Sequence, residues 1–380
     1  MTGHKIPAVF IRGGTSKGVF FKEQDLPASR DERDRVFLTV LGSPDPYQRQ
    51  LDGMGGGLSS LSKVVIVGRS DRPDADVDYT FVQIAVDQPV ADYGQACGNL
   101  STSVGPFAVE EGLLDLPDGE ATVRVYNTNT DKIYRARFEV RHGHAVETGD
   151  YEMSGVAGSG ARIRLDYLDP GGANSAGFLP SGNTVDTLEA GSRGAVECSL
   201  VDATNPVAFV AAAAMGVAGT ERPEALEADV GLMADLDVLR RNAGVAMGLA
   251  ETAHTVPLSI PKVAMVSAPA GYTSLSGETV PADDHDIAVR IVSMERLHRA
   301  VTGTGGMCLA AACQVEGSIP QRVARALEPG RDVRIATPSG VMTVAADAGR
   351  DADGAWRVDS VTVYRTQRRL MEGFVVLPRD

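Results

Sequence analysis

Ala96-Cys97-Gly98-Asn99-Leu100-Ser101-Thr102-Ser103-Val104-Gly105-Pro106-Phe107-Ala108-Val109-Glu110-Glu111-Gly112 and, later in the chain, Val301-Thr302-Gly303-Thr304-Gly305-Gly306-Met307-Cys308-Leu309-Ala310-Ala311-Ala312-Cys313-Gln314-Val315-Glu316-Gly317 are the two stretches on which the architecture turns. Each opens on a thiol or hydroxyl side chain, passes through glycine and then asparagine or threonine, and closes on a glycine fourteen residues after the first. Small and apolar residues fill the interval, which predicts a buried helix. Each is followed by a Val-Arg strand, Val123-Arg124-Val125 and Val333-Arg334-Ile335. Because the flanks agree as well as the helices, an internal duplication explains the echo better than chance. The expected fold class is α+β, with two pseudo-symmetric halves, each a strongly curved, mostly antiparallel sheet wrapped round one central helix.

Working outward, residues 8–12 and 19–22 read as strands flanking a glycine turn, and 63–67, 79–86, 121–126 and 133–140 as further strands rich in β-branched residues. Residues 31–41 predict a surface helix opened by acidic side chains, and 101–114 the first buried helix. In the second half, 169–182 reads as a glycine-rich loop and 195–202 as a strand. The Ala- and Leu-rich region from 206 to about 253 reads as helical. Strands at 263–267 and 287–293 precede the second buried helix, 303–315, and the tail is strand-like over 333–344 and 356–376. The expected division is an N-terminal half, 1–182, carrying Lys63 and Cys97, and a C-terminal half, 183–380, whose last strand is free to return to the first.

Glycine followed by a polar residue ahead of a buried helix leaves first-turn N–H groups pointing into open space, where they suit a carboxylate or phosphate. Ordinary capping is the alternative for either start alone. The order Gly13-Gly14-Thr15-Ser16-Lys17-Gly18 does not match a phosphate loop, so nucleotide binding is not expected. Cys97 precedes the first start, where dipole and N–H groups favour a thiolate, against the inert buried state common for cysteine. Lys63 stands where a polar Gly-Ser stretch, residues 52–62, meets an apolar strand. A lysine desolvated there loses its charge more easily and suits proton abstraction, although most lysines are solvated surface groups. Arg12 and Lys17 around the glycine turn would add positive charge for an acidic substrate. Cys198, Cys308 and Cys313 read as core, and the histidines form no metal spacing beyond His142-Gly143-His144, so no metal is assigned.

A formal charge of −14, from 36 basic and 50 acidic residues, argues against nucleic acid or an anionic membrane as partner. The balance of 43% hydrophobic and 23% charged residues is that of a globular chain and rules out wholesale disorder. The four cysteines lack disulfide spacing and no secretory leader or membrane span is read, so a cytoplasmic protein with free thiols is expected.

Arg12-Gly-Gly-Thr-Ser-Lys-Gly18, Gly42-Ser-Pro-Asp-Pro-Tyr47, Asp52-Gly-Met-Gly-Gly56, Ser59-Ser-Leu-Ser-Lys63, Cys97-Gly-Asn99, Val104-Gly-Pro-Phe-Ala108, Leu179-Pro-Ser-Gly-Asn183 with Val185-Asp186, and Leu370-Met-Glu-Gly-Phe374 together resemble the PrpF family, from about residue 6 to 378. The resemblance implies the diaminopimelate-epimerase-like fold and a cofactor-independent isomerase that moves a proton and a double bond in a small unsaturated di- or tricarboxylate such as 2-methylaconitate. It leaves open a 4-oxalomesaconate tautomerase or isomerase, and a non-catalytic accessory to an aconitase-like iron–sulfur dehydratase. It assigns catalysis to Lys63 and Cys97, either of which can be the base. Substrate contacts are implied for Arg12, Thr15, Ser16, Lys17, Ser59, Ser60, Ser62, Gly98, Asn99, Thr302, Gly303 and Thr304. Thr302 stands where a two-thiol racemase would carry its second cysteine, which disfavours racemisation. No cofactor is implied, and a homodimer is one assembly considered.

Overall fold

The computed structural model describes residues 5–378 except 95, 154, 294, 329 and 330. The chain divides into two compact units, one running to Asp166 and resuming at Tyr364, the other spanning Tyr167–Val363. In chain order the first unit contains β1 (Lys5–Gly13), β2 (Ser16–Lys22), α1 (Arg30–Leu41), β3 (Lys63–Arg69), β4 (Val77–Ile84), α2 (Val104–Glu110), β5 (Gly119–Asn127) and β6 (Lys132–Arg141). The second contains β7 (Asp186–Glu189), β8 (Ala195–Asp202), β9 (Pro206–Ala211), α3 (Val230–Ala246), β10 (Lys262–Ser267), β11 (Ile287–Ser293), α4 (Gly303–Ala312), β12 (Val333–Thr337) and β13 (Gly340–Arg350), with β14 (Trp356–Arg365) closing it. The last strand, β15 (Gln367–Val376), belongs to the first unit and pairs with β1.

The two units repeat one plan. In the first, β1 and β2 form a hairpin, β2 runs parallel to β3, β3 antiparallel to β4, β4 parallel to β5, and β5 antiparallel to β6. In the second, β8, β9, β10, β11, β12 and β13 pair in the same succession and with the same senses. The class is α+β, as expected.

A repeated ion pair makes the duplication concrete. Asp76, just before β4, donates its N–H to the Arg124 carbonyl, and its carboxylate accepts from the Arg124 backbone N–H and guanidinium. Asp286, just before β11, makes the same set with Arg334. Both pairs span 48 residues, and each arginine also reaches the carbonyl three residues before its aspartate, Pro73 or Asp283.

Alternation along β2 and β3 gives each sheet two working faces. Val19, Phe21, Val64 and Ile66 pack with Val36, Phe37 and Val40 of α1. Phe20 points the other way and meets Phe107 of α2, ring centroids 5.5 Å apart. A Cβ at Gly105 would lie 2.6 Å from the Phe138 ring on β6, so only glycine lets α2 sit this close to the sheet. In the second unit, Leu232, Leu236 and Leu239 of α3 cover Leu200, Ala208 and Val263, while α4 meets Val201, Ile291 and Met342.

Three elements differ from expectation. The first buried helix opens as a 3-10 turn, Leu100–Ser103, before α2 proper. It closes at Gly112, φ 68°, where the N–H groups of Gly112 and Leu113 bond the carbonyls of Val109 and Ala108, a Schellman end. The second buried helix ends at Ala312. The region from 206 is not helical at its start: β9 is a strand buried at every position but its last, held between β8 and β10; a 3-10 turn follows at Ala212–Met215, and α-helix begins only at Pro223–Glu227 and in α3. A short apolar run between two partners reads alike for strand and buried helix, and here the sheet wins.

Asp286 is buried, and although burial alone would raise its pKa, the Arg334 hydrogen bonds and charge hold it below the ordinary carboxylate range. A depressed pKa stabilises the fold above the unfolded value, and that contribution is lost as pH falls through the folded value. Asp286→Asn should therefore cost about 3 kcal/mol near neutrality, as breaking a buried pair does. Asp76→Asn should cost less, because its pair is more open to solvent. Denaturant melts at several pH values test this: below about pH 4 the gap between wild type and Asp286→Asn should narrow.

Candidate active site

β4 organises the polar residues of the first unit. Val82 and Ile84 are committed to the α1 core, so Tyr79, Phe81 and Gln83 share the opposite face. Gln83 stands directly across from Lys63 in the antiparallel register, and its Oε1 accepts from Lys63 Nζ at 2.7 Å. The Gln83 Nε2 donates to the carbonyls of Ser59 and Ser62, at 3.0 and 2.8 Å, which fixes the amide's orientation. The same ammonium lies 4.8 Å from the Phe81 ring centroid. Lys63 is buried and is held by an amide and a ring face.

The Tyr79 hydroxyl donates to the Cys97 carbonyl at 3.2 Å, and the N–H and hydroxyl of Ser101 donate to the same oxygen. Cys97 is buried two residues ahead of Asn99, the residue that opens the 3-10 turn. One face of one strand thus holds both expected catalytic residues.

Asn99 does not cap the turn that follows it. Its side chain reaches the β1–β2 hairpin, where Nδ2 donates to Thr15 Oγ1 at 3.1 Å and Ser16 Oγ at 3.4 Å, and Oδ1 accepts from the Thr15 N–H. A Cβ on Gly14, whose φ is +53°, would lie 2.3 Å from Asn99 Oδ1, and one on Gly13 would lie 2.7 Å from the Asn99 carbonyl. The glycine pair lets the hairpin tip lie flat on the start of the helix. Thr15, Ser16, Gly98 and Asn99 are thereby brought together. Arg12 is engaged in holding the hairpin: Nη1 donates to the carbonyls of Gly14 and Thr366 and to Thr366 Oγ1, and burial and then the Arg368 charge lower its pKa. Lys17 lies over the Phe10 ring.

Ser59 and Ser60 belong to a 3-10 turn just before β3, while the buried Ser62 hydroxyl accepts from Gln50 Nε2 at 2.6 Å. Thr302, Gly303 and Thr304 lie in the second unit. Thr302 is a true cap, its hydroxyl accepting from the Gly305 N–H, and the Thr304 carbonyl accepts from the Thr204 hydroxyl. Cys198, Cys308 and Cys313 are buried, and burial pushes the Cys198 thiol up to about 12.

Over residues 3–378 the sequence matches the family described as PrpF protein. This chain belongs to the PrpF family. A 2-methyl-aconitate isomerase of Cupriavidus necator is 41% identical to it, across 99% of this chain and 98% of that protein. A 3-methylitaconate isomerase of Eubacterium barkeri is 39% identical, across 99% and 98%. The crystal structure of a methylitaconate-delta-isomerase covers 99% of this chain and 96% of its own, with a TM-score of 0.92 and 38% identity. This PrpF-family protein is an isomerase.

Reading the sequence of this PrpF-family isomerase singled out neither Gln83 nor Gln50. Gln83 carried a signal, a lone amide on the face of a strand otherwise occupied by Tyr79 and Phe81. Gln50 carried none, since its partners Ser43, Gly57 and Ser62 are joined only by the folded loop. Lys262 also escaped notice. It opens β10 as Lys63 opens β3, and burial lowers its pKa.

The Gly14–Asn99 contact is testable by a double-mutant cycle. Gly14→Ala should destabilise the protein through both its φ and the clash, and Asn99→Ala should relieve the clash in the double variant. The expected coupling is about 0.5–3 kcal/mol in equilibrium denaturation. Strict additivity would mean that the hairpin and helix do not meet as described.

Proposed function

We propose that this protein is a cytoplasmic, cofactor-independent isomerase that shifts a proton and a double bond within a small unsaturated polycarboxylate such as 2-methylaconitate, using Lys63 and Cys97 as its acid–base pair. The observation that carries this reading is the shared β4 face, where Gln83 and Phe81 hold the Lys63 ammonium and Tyr79 holds the Cys97 carbonyl. The substrate class is that named for the full-length relatives.

In the proposed reaction one of the pair removes a proton from an sp³ carbon next to the alkene. The C–H electrons enter the conjugated system and give a dienolate whose charge rests on the carboxylate oxygens. Fixed N–H dipoles and neighbouring cations stabilise that charge. A proton returned to the far allylic carbon completes the shift, and rotation about the transient single bond changes alkene geometry. Arg12, Thr15, Ser16, Lys17, Ser59, Ser60, Ser62, Gly98, Asn99 and Thr302–Thr304 are the proposed substrate contacts.

Turnover of folded Lys63→Ala and Cys97→Ala should fall roughly 10²–10⁴-fold, the usual contribution of a general acid or base. Gln83→Leu should lower kcat by up to about 10²-fold with little change in KM, because it releases the ammonium without touching substrate. Proton NMR in deuterated buffer, over a panel containing 2-methylaconitate, methylitaconate, aconitate and 4-oxalomesaconate, should show isotope entering the allylic carbons of one substrate. Isomerised product without solvent deuterium and without a primary isotope effect would remove proton transfer from the reaction.

A further inference from the structure

We propose that Asn129 is a positioning residue for the proposed reaction: its amide ties the strand that holds Lys63 to the segment that carries Cys97, and so sets the two relative to each other. The inference rests on the reading of Lys63 and Cys97 as the acid–base pair. β4 has β3 along the whole of one edge and a broken partner along the other. On that second edge β5 pairs as far as Tyr79, opposite Asn127, and the two-residue strand Ala91–Asp92 pairs with Ile84 and Gln83. Phe81 lies between these two ladders and belongs to neither.

The Asn129 side chain fills the gap. Its Oδ1 accepts from the Phe81 N–H at 2.7 Å, and its Nδ2 donates to the Phe81 carbonyl at 2.9 Å and the Tyr93 carbonyl at 2.8 Å. Both amide protons go to carbonyls, so a flipped amide would set its oxygen against two others. The turn that presents it is fixed as well: the Asn129 N–H donates to Asn127 Oδ1, and the Thr128 N–H to the Tyr79 carbonyl. At one end of this tether Phe81 gives its ring face to the Lys63 ammonium. At the other, Tyr93 stands four residues ahead of Cys97. Its hydroxyl donates to Asp34 Oδ1 at 2.6 Å, and the Arg30 guanidinium lies 4.0 Å from its ring centroid.

The second unit carries the same device in reduced form. Ser339 follows Arg334 by five residues, as Asn129 follows Arg124, and its N–H likewise donates to the side chain two residues earlier, at Thr337 Oγ1. Its hydroxyl donates to the Arg299 carbonyl, three residues ahead of Thr302. It is not needed at the strand: Ile291, five residues after Asp286 as Phe81 is after Asp76, gives its carbonyl directly to the His298 N–H. A turn side chain that pins the segment ahead of a helix start is therefore part of the repeated frame. Reaching the strand as well is the addition of the first unit, where Lys63 and Cys97 both lie.

Asn129→Asp keeps the size and the acceptor for the Phe81 N–H but turns a carboxylate on two carbonyls, so it cuts the tether and leaves β4 paired. On whichever member of the NMR panel turns over, its kcat should fall roughly 10–10²-fold, with KM within about threefold. Alkylation of Cys97 by iodoacetamide, read by peptide mass spectrometry, should be about tenfold faster than in the unmodified protein, because the released segment opens more often. Asp76→Asn is the control. It weakens the frame on the same pair of strands, so the denaturation midpoint should fall while kcat and the Cys97 alkylation rate hold. A merely structural Asn129 would behave like that control, and this result would overturn the proposal. If Asn129→Asp does not fold, amide exchange of the unmodified protein takes its place: the Phe81 N–H should exchange as slowly as that of Val82, and rapid exchange there would remove the tether. Undiminished turnover in folded Lys63→Ala or Cys97→Ala would sink the underlying reading and this proposal together. Loss of turnover in both, with Asn129→Asp as active as the unmodified protein, would sink the proposal alone.

Discussion

Gln83 opposite Lys63 is the contact on which the candidate site of the first unit rests. It exists because β4 is locked in register from its other face, where Val82 and Ile84 are sealed into the core under α1. A slip of one residue would expose those side chains and turn Tyr79, Phe81 and Gln83 into the hydrophobic layer together. The apolar core and the polar site are therefore two readings of a single alternation. The hydrophobic contacts hold the amide still, and the amide holds the ammonium.

Much of this architecture was legible because duplication writes the same message twice. The glycines at the starts of α2 and α4 and the Val-Arg strands after them were visible in the chain. What escaped was what made the echo physical, since Asp76 and Asp286 look like any surface acid until each is seen paired to an arginine 48 residues on. The misread segment from residue 206 has a related cause. Ala and Val at those positions satisfy helix and strand alike, and only flanking β8 and β10 decide. The expectation for Lys63 rests on a change of composition, where a polar Gly-Ser stretch meets an apolar strand, and that for Cys97 on its place ahead of a Gly-Asn helix start. Gln50 and Gln83 act through partners scattered across loop and sheet, and nothing local announces them.

The duplicated frame has been filled unequally. In the first unit the residue ahead of the helix start is a buried thiol whose carbonyl is held by Tyr79 and Ser101. In the second it is Thr302, whose hydroxyl caps α4 by accepting from the Gly305 N–H. Asn99 turns away from its helix toward the hairpin, whereas Thr304 offers the hairpin only its backbone carbonyl. Frame contacts such as the two aspartate–arginine pairs persist in both units, while the polar residues at the two helix starts are used differently.

The return of β15 to β1 has a consequence for synthesis. Arg12 reaches Thr366, 354 residues away, and the ladder beside it is the most non-local in the chain. While the protein is being made, β1 must wait with one flank open through translation of the whole second unit, which has all its own strands and can fold first. The amino-terminal unit, begun first, is thus completed last. A chain released before residue 367 would lack the strand that covers β1, leaving a hydrophobic edge open to chaperones and proteases.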